Sequence, residues 1–162
     1  KAVGYRCKIV GETLDLNAGQ LIDRIGVHLG FAFPAGKSLE QLAMGAVKKD
    51  CVIPSTMEGL NFHFSGQENK AMQYLGRGVD PSEVAFGLLR SIAKTLSKTM
   101  RDGIKRYGVK TVLFSGGVMS NGIIRGIIEK ELARTGVLLC FAEPQYATDN
   151  AVGNALLGIV MD

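Results

Sequence analysis

The sequence predicts an α/β fold in which short parallel strands alternate with helices. Two apolar, β-branched runs, at 110–114 and 137–141, have the length and composition of buried strands, and helical periodicity follows each of them. The order strand, helix, strand, helix is typical of parallel strands joined by crossover helices. The chain has 162 residues, the size of one domain with a substantial core.

The first half of the chain begins with a predicted strand from Tyr5 to Thr13. A helix is predicted from Asn17 to Leu29, because Leu21, Ile22, Ile25 and Leu29 recur at helical spacing. A second helix is predicted from Ser38, its N-cap, to Val47, with Glu40 and Gln41 in its first turn. The alternating segment Gly59 to Phe64 predicts another strand.

The clearest helix of the sequence begins after Asp80. Asp80 is the predicted N-cap, Pro81 suits the first helical position, and Glu83 completes a capping-box-like entry. Apolar periodicity extends this helix to about Tyr107, where Gly108 ends it. Two more helices follow, at 121–134 and 147–160.

Composition excludes several classes of protein. No apolar run reaches the roughly 18 residues of a membrane span, and the first residues lack the apolar segment of a signal peptide. We therefore expect a soluble, cytoplasmic protein. The three cysteines lie far apart in no CxxC pair, which favours neither a disulfide framework nor a zinc site. The net charge of +4 suits a polyanionic partner but is equally common in ordinary cytosolic domains.

The segment FSGGVMSN, residues 114–121, follows the first apolar run and opens a helix. Gly116 and Gly117 remove side chains where the backbone can approach a ligand, and the helix behind them has free N–H groups. Such a turn can receive a nucleotide. The alternative is a plain strand-to-helix turn whose glycines serve tight packing.

Three further residues could meet a ribose. Asp23 lies on the first helix, Gly36 follows Pro34 in the next loop, and Glu40 comes four residues later. The carboxylates would accept hydroxyl hydrogen bonds beside a gap without a side chain; the alternative is two solvated surface charges. Asp149, in the first turn of the last helix, is either a helix-dipole partner or a metal ligand.

Taken together, these motifs resemble the tRNA threonylcarbamoyladenosine transferase family, formerly described as O-sialoglycoprotein endopeptidases or M22 glycoproteases. GETLDLNAGQLIDRIGVHLGFAFPAG is similar to that family's GETLDDAAGEAFDK and LGLPYPGG, and NFHFSGQENK is similar to FSFSGLKT. FSGGVMSN is similar to AGGVAAN, and YATDNAVGNALLG to CTDNAAMIA. Four motifs in the same order, at similar spacing, cover nearly the whole chain.

The resemblance implies an actin-like ATPase fold with a mixed sheet flanked by helices, of which this chain is the second half. By position, Asp23, Gly36, Glu40 and Asn121 would contact the nucleotide together with the turn at Gly116 and Gly117, and Asp149 would bind a catalytic divalent metal, iron or zinc. Family members transfer threonylcarbamoyl from its AMP adduct to N6 of adenosine 37 in tRNA. The implied partners are tRNA, threonylcarbamoyl-AMP, a paralogous activator subunit and other proteins of the modification complex.

Several features depart from the family pattern. Its HxxxH metal ligands and first phosphate loop have no match here, so we expect a fragment: residues 1–13 as a residual strand or hairpin of the first domain, and residues 14–162 as the carboxy-terminal domain. An excised domain would expose an apolar face and could form a homodimer. His28 and His63 are expected to be structural. Glu68 stands where the family has lysine, and Ala35 and Lys37 alter the PGGP loop.

These departures leave other functions open. The chain could belong to a non-catalytic paralogue that keeps the nucleotide and activates a catalytic relative. It could belong to a sugar or acid kinase of the same superfamily, although the TDNA segment disfavours this. The old protease description is the least favoured, because the sequence offers neither an activated nucleophile nor a closed zinc site.

A row of basic residues supports a nucleic-acid partner independently of the resemblance. Spacings of four and three place these residues on one face of the helix after Asp80, opposite its apolar stripe: Arg90, Lys94, Lys98, Arg101 and Lys105. Such a row can follow the phosphates of tRNA. The alternative is an ordinary solvated helix face.

Overall fold

The computed structural model describes residues 7–143 of the chain. Within that range the elements are, in order, α1 (Ala18–His28), α2 (Gly36–Met44), β1 (Thr56–Glu58), β2 (Asn61–His63), α3 (Ser65–Gly76), α4 (Pro81–Tyr107), β3 (Thr111–Phe114), α5 (Gly122–Leu132) and β4 (Leu138–Phe141). Two short 3₁₀ turns, Gly117–Ser120 and Ala133–Thr135, flank α5.

Helix α4 lies at the centre of the domain, where α1, α2, α3 and α5 all pack against it. Both ends were correctly predicted. The Asp80 carboxylate accepts a hydrogen bond from the backbone N–H of Ser82 at 2.8 Å, Pro81 occupies the first position, and Gly108 adopts a left-handed conformation with φ 62°. The side-chain hydrogen bond that completes this cap comes from Ser82, whose hydroxyl also donates to the Asp80 carboxylate. The sequence had predicted Glu83 for the capping-box position.

The strands form two separate two-stranded sheets in the described part of the chain. β1 and β2 pair antiparallel as a hairpin, whereas β3 and β4 pair parallel on either side of α5. The Phe114 and Phe141 rings stack at the ends of β3 and β4, with centroids 4.8 Å apart. The predicted pair of parallel strands joined by a crossover helix is thus confirmed. The mixed sheet that the resemblance implied appears in residues 7–143 as two separate two-stranded sheets.

The predicted strand from Tyr5 to Thr13 is wrong for residues 7–12, which form no strand. Contact with β2 begins only where Glu12 accepts the N–H of Phe62 and Leu14 donates to the Phe62 carbonyl. Thr13 lies between them in an isolated parallel bridge to Phe62. The chain therefore joins the domain at residues 12–14.

Two helix predictions also need correction. α2 begins at Gly36 with Ala35 as its N-cap, not at Ser38, because the Asp23 carboxylate binds the N–H of Ala35 and fixes the chain there. Helix α3 was not predicted. The helix predicted at 147–160 lies outside the described residues. Among the described helices, none is both long and apolar enough to cross a membrane.

Candidate nucleotide-binding site

The glycine turn leads directly from β3 into α5. Gly116 has φ 106°, a conformation that only glycine adopts without strain. Among the described residues, a methyl group added at Gly116 or Gly117 would meet no atom within 4 Å. Tight packing against residues 7–143 therefore does not require glycine at either position, whereas the positive φ does at Gly116.

Asn121 sits at the end of the turn and begins α5. Its side chain is only 7% exposed, and its Oδ1 accepts a hydrogen bond from the backbone N–H of Ile124 at 3.0 Å. Asn121 is therefore the N-cap of α5. Its amide Nδ2 makes no hydrogen bond within residues 7–143, which leaves a donor beside the glycine turn.

Glu40 connects α2 to the same helix N-terminus. Its Oε1 accepts a hydrogen bond from the backbone N–H of Gly122 at 2.6 Å, across 82 residues of sequence. The second carboxylate oxygen has no described partner. Glu40 is thus held in place at the positive end of α5 rather than being a solvated surface charge.

Asp23 and Gly36 lie together at the junction of α1 and α2. The Asp23 Oδ1 accepts the N–H of Ala35 at 2.8 Å, directly before Gly36 begins α2. A methyl group at Gly36 would lie 3.9 Å from the Ile22 side chain, an ordinary contact. Asp23 also borders a hollow of about 360 Å³ whose wall includes the exposed ring of Phe33.

The glycine turn, Asn121, Glu40 and Asp23 are not all equally close to one another. Glu40 accepts the N–H of Gly122, next to Asn121, at the start of α5, and a methyl group added at Gly19 of α1 would lie 3.7 Å from the side chain of Val118 in the glycine turn. Asp23 instead bonds to Ala35 at the α1–α2 junction. The structure therefore brings Glu40 close to Asn121 and holds Asp23 at a separate point, and their joint contact with a nucleotide stays a prediction.

Asp15 is an organising residue that the sequence did not single out. Its carboxylate accepts backbone N–H groups of Leu16, Phe64 and Ser65, at 2.5, 2.7 and 3.0 Å. Burial alone would raise the pKa of Asp15, but these hydrogen bonds outweigh it and hold the pKa well below its usual range. Asp15 thereby fixes the start of α3 to the segment before α1. Its one sequence signal is its place in the GETLD motif.

Glu68, which departs from the family motif, and its neighbour Gln67 each have a partner inside the domain. Glu68, in the first turn of α3, pairs with Arg24 of α1, with 3.2 Å between the Arg24 guanidinium and Glu68 Oε2. Gln67 is 1% exposed and donates to the hydroxyl of Thr95 on α4 at 3.1 Å. Both side chains therefore fasten α3 to its neighbours.

No group of three or more potential metal ligands exists within residues 7–143. His28 is exposed at the end of α1. His63 lies between two carboxylates, 3.0 Å from Glu58 and 3.5 Å from Asp15. Asp149, the predicted metal ligand, lies outside the described residues.

The predicted basic row of α4 divides into two kinds of side chain. Lys94, Lys98 and Lys105 are exposed and make no ion pair with a described carboxylate. Arg90 donates to the backbone carbonyls of Lys49 and Cys51, and Arg101 pairs with Glu131 at 2.9 Å.

Residues 1–156 match the model of the protein family described as TsaD, tRNA N6-adenosine threonylcarbamoyltransferase. Among similar curated proteins, "probable bifunctional tRNA threonylcarbamoyladenosine biosynthesis proteins" of Methanobrevibacter smithii and Halobacterium salinarum are each 30% identical over 96% of this chain. The corresponding protein of Thermoplasma volcanium is 27% identical. The chain spans only 29% of the length of these relatives.

The fold has a counterpart among solved structures. The crystal structure of HypF from T. kodakarensis superposes with a TM-score of 0.74 over 88% of this chain and 20% of that protein, at 24% identity. At this identity the likeness concerns the fold alone. It agrees with the actin-like α/β class predicted from the sequence.

Proposed function

Since this chain belongs to the tRNA N6-adenosine threonylcarbamoyltransferase family, we propose that it supplies the nucleotide-binding half of an enzyme that transfers threonylcarbamoyl from its AMP adduct to N6 of adenosine 37 in tRNA. In this reaction N6 attacks the carbamoyl carbon, and AMP leaves. The nucleotide-binding half holds the AMP portion and keeps its reacting end in a fixed position.

The hydrogen bond between Glu40 and Gly122 is the observation that carries this function. It closes α2 onto the glycine turn with a distance of 2.6 Å and so unites two motifs that are 82 residues apart. A carboxylate oxygen, an amide donor and an open glycine backbone then border one surface. Nucleosides are recognised through this combination of acceptor, donor and close backbone approach.

The described residues fit a nucleotide. Glu40 and Asp23 each retain a carboxylate oxygen without a described partner for ribose hydroxyls. The Asn121 amide offers a donor, and no atom of residues 7–143 would lie within 4 Å of a methyl group placed on Gly116 or Gly117.

Residues 7–143 hold no group of three or more potential metal ligands, so these residues take no metal-dependent step in the proposed reaction. Asp149 remains the proposed ligand. In a full-length protein, Asp149→Ala is expected to abolish transfer while leaving AMP binding intact, and an unaffected transfer rate would exclude this role.

Calorimetric titration of the chain with AMP tests the nucleotide site. Asn121→Ala is expected to weaken AMP binding at least tenfold, since it removes the amide donor and loosens the start of α5. Asn69→Ala, at an exposed position of α3, is the matched control and should bind as the wild type does. Circular dichroism confirms that both variants are folded. Equal AMP affinity for all three proteins would refute the site.

A second function, that of a non-catalytic activator which binds nucleotide, is favoured by one observation. Glu68 stands where the family has lysine, and its carboxylate forms an ion pair with Arg24. This position therefore offers no cation to a substrate. The two functions differ in a transfer assay with tRNA and threonylcarbamoyl-AMP. A catalytic subunit raises the rate alone, whereas an activator raises it only when a catalytic relative is added.

A further inference from the structure

One face of α4 presents cations at regular intervals. Positions 86, 90, 94 and 98 recur every four residues and lie in a row on the helix surface, and 101 and 105 continue it. Lys94, Lys98 and Lys105 are the exposed ammonium groups of this row. Within residues 7–143 none of them is ion-paired, although Asp102 lies one turn from Lys98.

The loop after α2 extends this row at its amino-terminal end. Arg90 donates from its two terminal nitrogens to the carbonyls of Lys49 and Cys51, both at 2.7 Å. This contact places the Lys49 ammonium 4.9 Å from the centre of the Phe86 ring. Gly87 allows the close approach, because a methyl group there would lie 2.6 Å from the Cys51 carbonyl oxygen.

The arginines of the row are engaged within the domain. Arg90 binds two backbone carbonyls and so positions Lys49, while Arg101 is neutralised by Glu131. Four lysines remain free for an external anion: Lys49, Lys94, Lys98 and Lys105. The cations available to a ligand are therefore the three lysines of α4 and Lys49 of the preceding loop, and not the two arginines of the predicted row.

We propose that Lys49, Lys94, Lys98 and Lys105 form a binding surface for the phosphate backbone of structured RNA, a surface that rests on the tRNA substrate proposed above. From Phe86 to Lys105 the row measures about 28 Å at 1.5 Å per residue. Lys94 and Lys98 are about 6 Å apart along the axis, and cations spread in a line over this length suit a polyanion that extends along the helix. The contacts are to phosphates and therefore independent of base sequence.

The salt dependence of binding measures the number of phosphate contacts. For four contacts, log affinity falls with log salt with a slope of about −3.6, which is a loss of about 150-fold between 50 and 200 mM salt. The double variant Lys94→Gln/Lys98→Gln should retain two contacts and lose only about 12-fold over the same range. The probes are an unmodified tRNA transcript and an unrelated RNA duplex of about 20 base pairs, which is longer than the roughly 16 base pairs that span two successive minor grooves. Fluorescence anisotropy follows the binding of each.

A matched control removes the same charge elsewhere. Lys110→Gln/Lys130→Gln also lowers the net charge by two and should retain the wild-type slope. Arg90→Gln and Lys49→Gln should each reduce the steepness of the slope by about one, and the two together by no more than one, because Arg90 acts through Lys49.

The surface and the nucleotide site fail separately in these experiments. AMP affinity should be the same in the wild type and in Lys94→Gln/Lys98→Gln. Loss of AMP binding in all proteins, with the RNA slopes as expected, would refute the nucleotide site alone. A slope unchanged in Lys94→Gln/Lys98→Gln, or reduced equally in the control, would overturn the RNA surface.

Discussion

Glu40 is expected to stabilise the domain even without a ligand. Its hydrogen bond to the Gly122 N–H is charge-assisted and 2.6 Å long, and it joins the half-buried Glu40 to the exposed start of α5. Hydrogen bonds to a charged group contribute about 1.5–3 kcal/mol to the free energy of unfolding. The negative carboxylate is also attracted to the positive, amino-terminal end of the α5 dipole. Glu40→Ala should therefore lower the free energy of unfolding by about 2 kcal/mol.

Urea denaturation followed by circular dichroism measures this loss, with unchanged m values indicating unaltered cooperativity. At about 2–4 °C per kcal/mol for a chain of this size, the melting temperature of Glu40→Ala should fall by about 4–8 °C. Glu40→Gln retains an acceptor oxygen but no charge, so it should lie between the wild type and Glu40→Ala.

The matched control for this prediction is Glu129→Ala, which removes an exposed helical pair with Arg125. Such pairs contribute about 0.3–0.5 kcal/mol. A loss in Glu40→Ala no larger than that in Glu129→Ala would refute the structural role of Glu40. AMP should stabilise the wild type by about 2.7 kcal/mol at one hundred times its dissociation constant, and Glu40→Ala should show a smaller gain.

Three further predictions follow from contacts elsewhere in the domain. The lowered pKa of Asp15 means that its contribution to stability is complete above the unfolded value of about 3.9 and is lost as pH falls toward and through the folded value, which lies well below it. Urea midpoints should show Asp15→Asn less stable than the wild type at pH 6, with a smaller difference at pH 2. The exposed pair of Arg24 and Glu68 should have a coupling energy of about 0.2–1 kcal/mol in a double-mutant cycle, and zero coupling would contradict it. Gly87→Ala should cost about 1–3 kcal/mol, because its methyl group collides with Cys51, and an unchanged urea midpoint would show that the loop yields freely.

Elements whose ends are set by local residues were predictable from the sequence. α4 is the clearest case, since Asp80, Pro81 and Gly108 define its ends through their own conformational preferences. α3 was missed because only Gln67 and Ala71 are buried along it, a pattern too weak to indicate an amphipathic helix. The start of α2 was misplaced because it depends on Asp23, twelve residues earlier.

The candidate site shows the same division between local and distant information. The glycine turn is local and was identified from residue type and order, whereas the capping role of Asn121, equally local, was not predicted. The bond between Glu40 and Gly122 joins residues 82 positions apart, and that of Asp15 to Phe64 joins residues 49 positions apart. Such pairs require the packed fold, so the resemblance named Glu40 while Asp15 passed unnoticed.

Gln67 and Glu68, in the first turn of α3, bear on the choice between the two proposed functions, enzyme and activator. In this chain Glu68, which departs from the family motif, pairs with Arg24 of α1, and the neighbouring Gln67 bonds to Thr95 of α4. Glu68 is thus held by a contact within the domain, and that contact is separate from the Glu40 and Asn121 contacts around the glycine turn. Under the proposed function, nucleotide binding would therefore depend on Glu40 and Asn121 and not on the α3 motif, so the two roles can be tested separately.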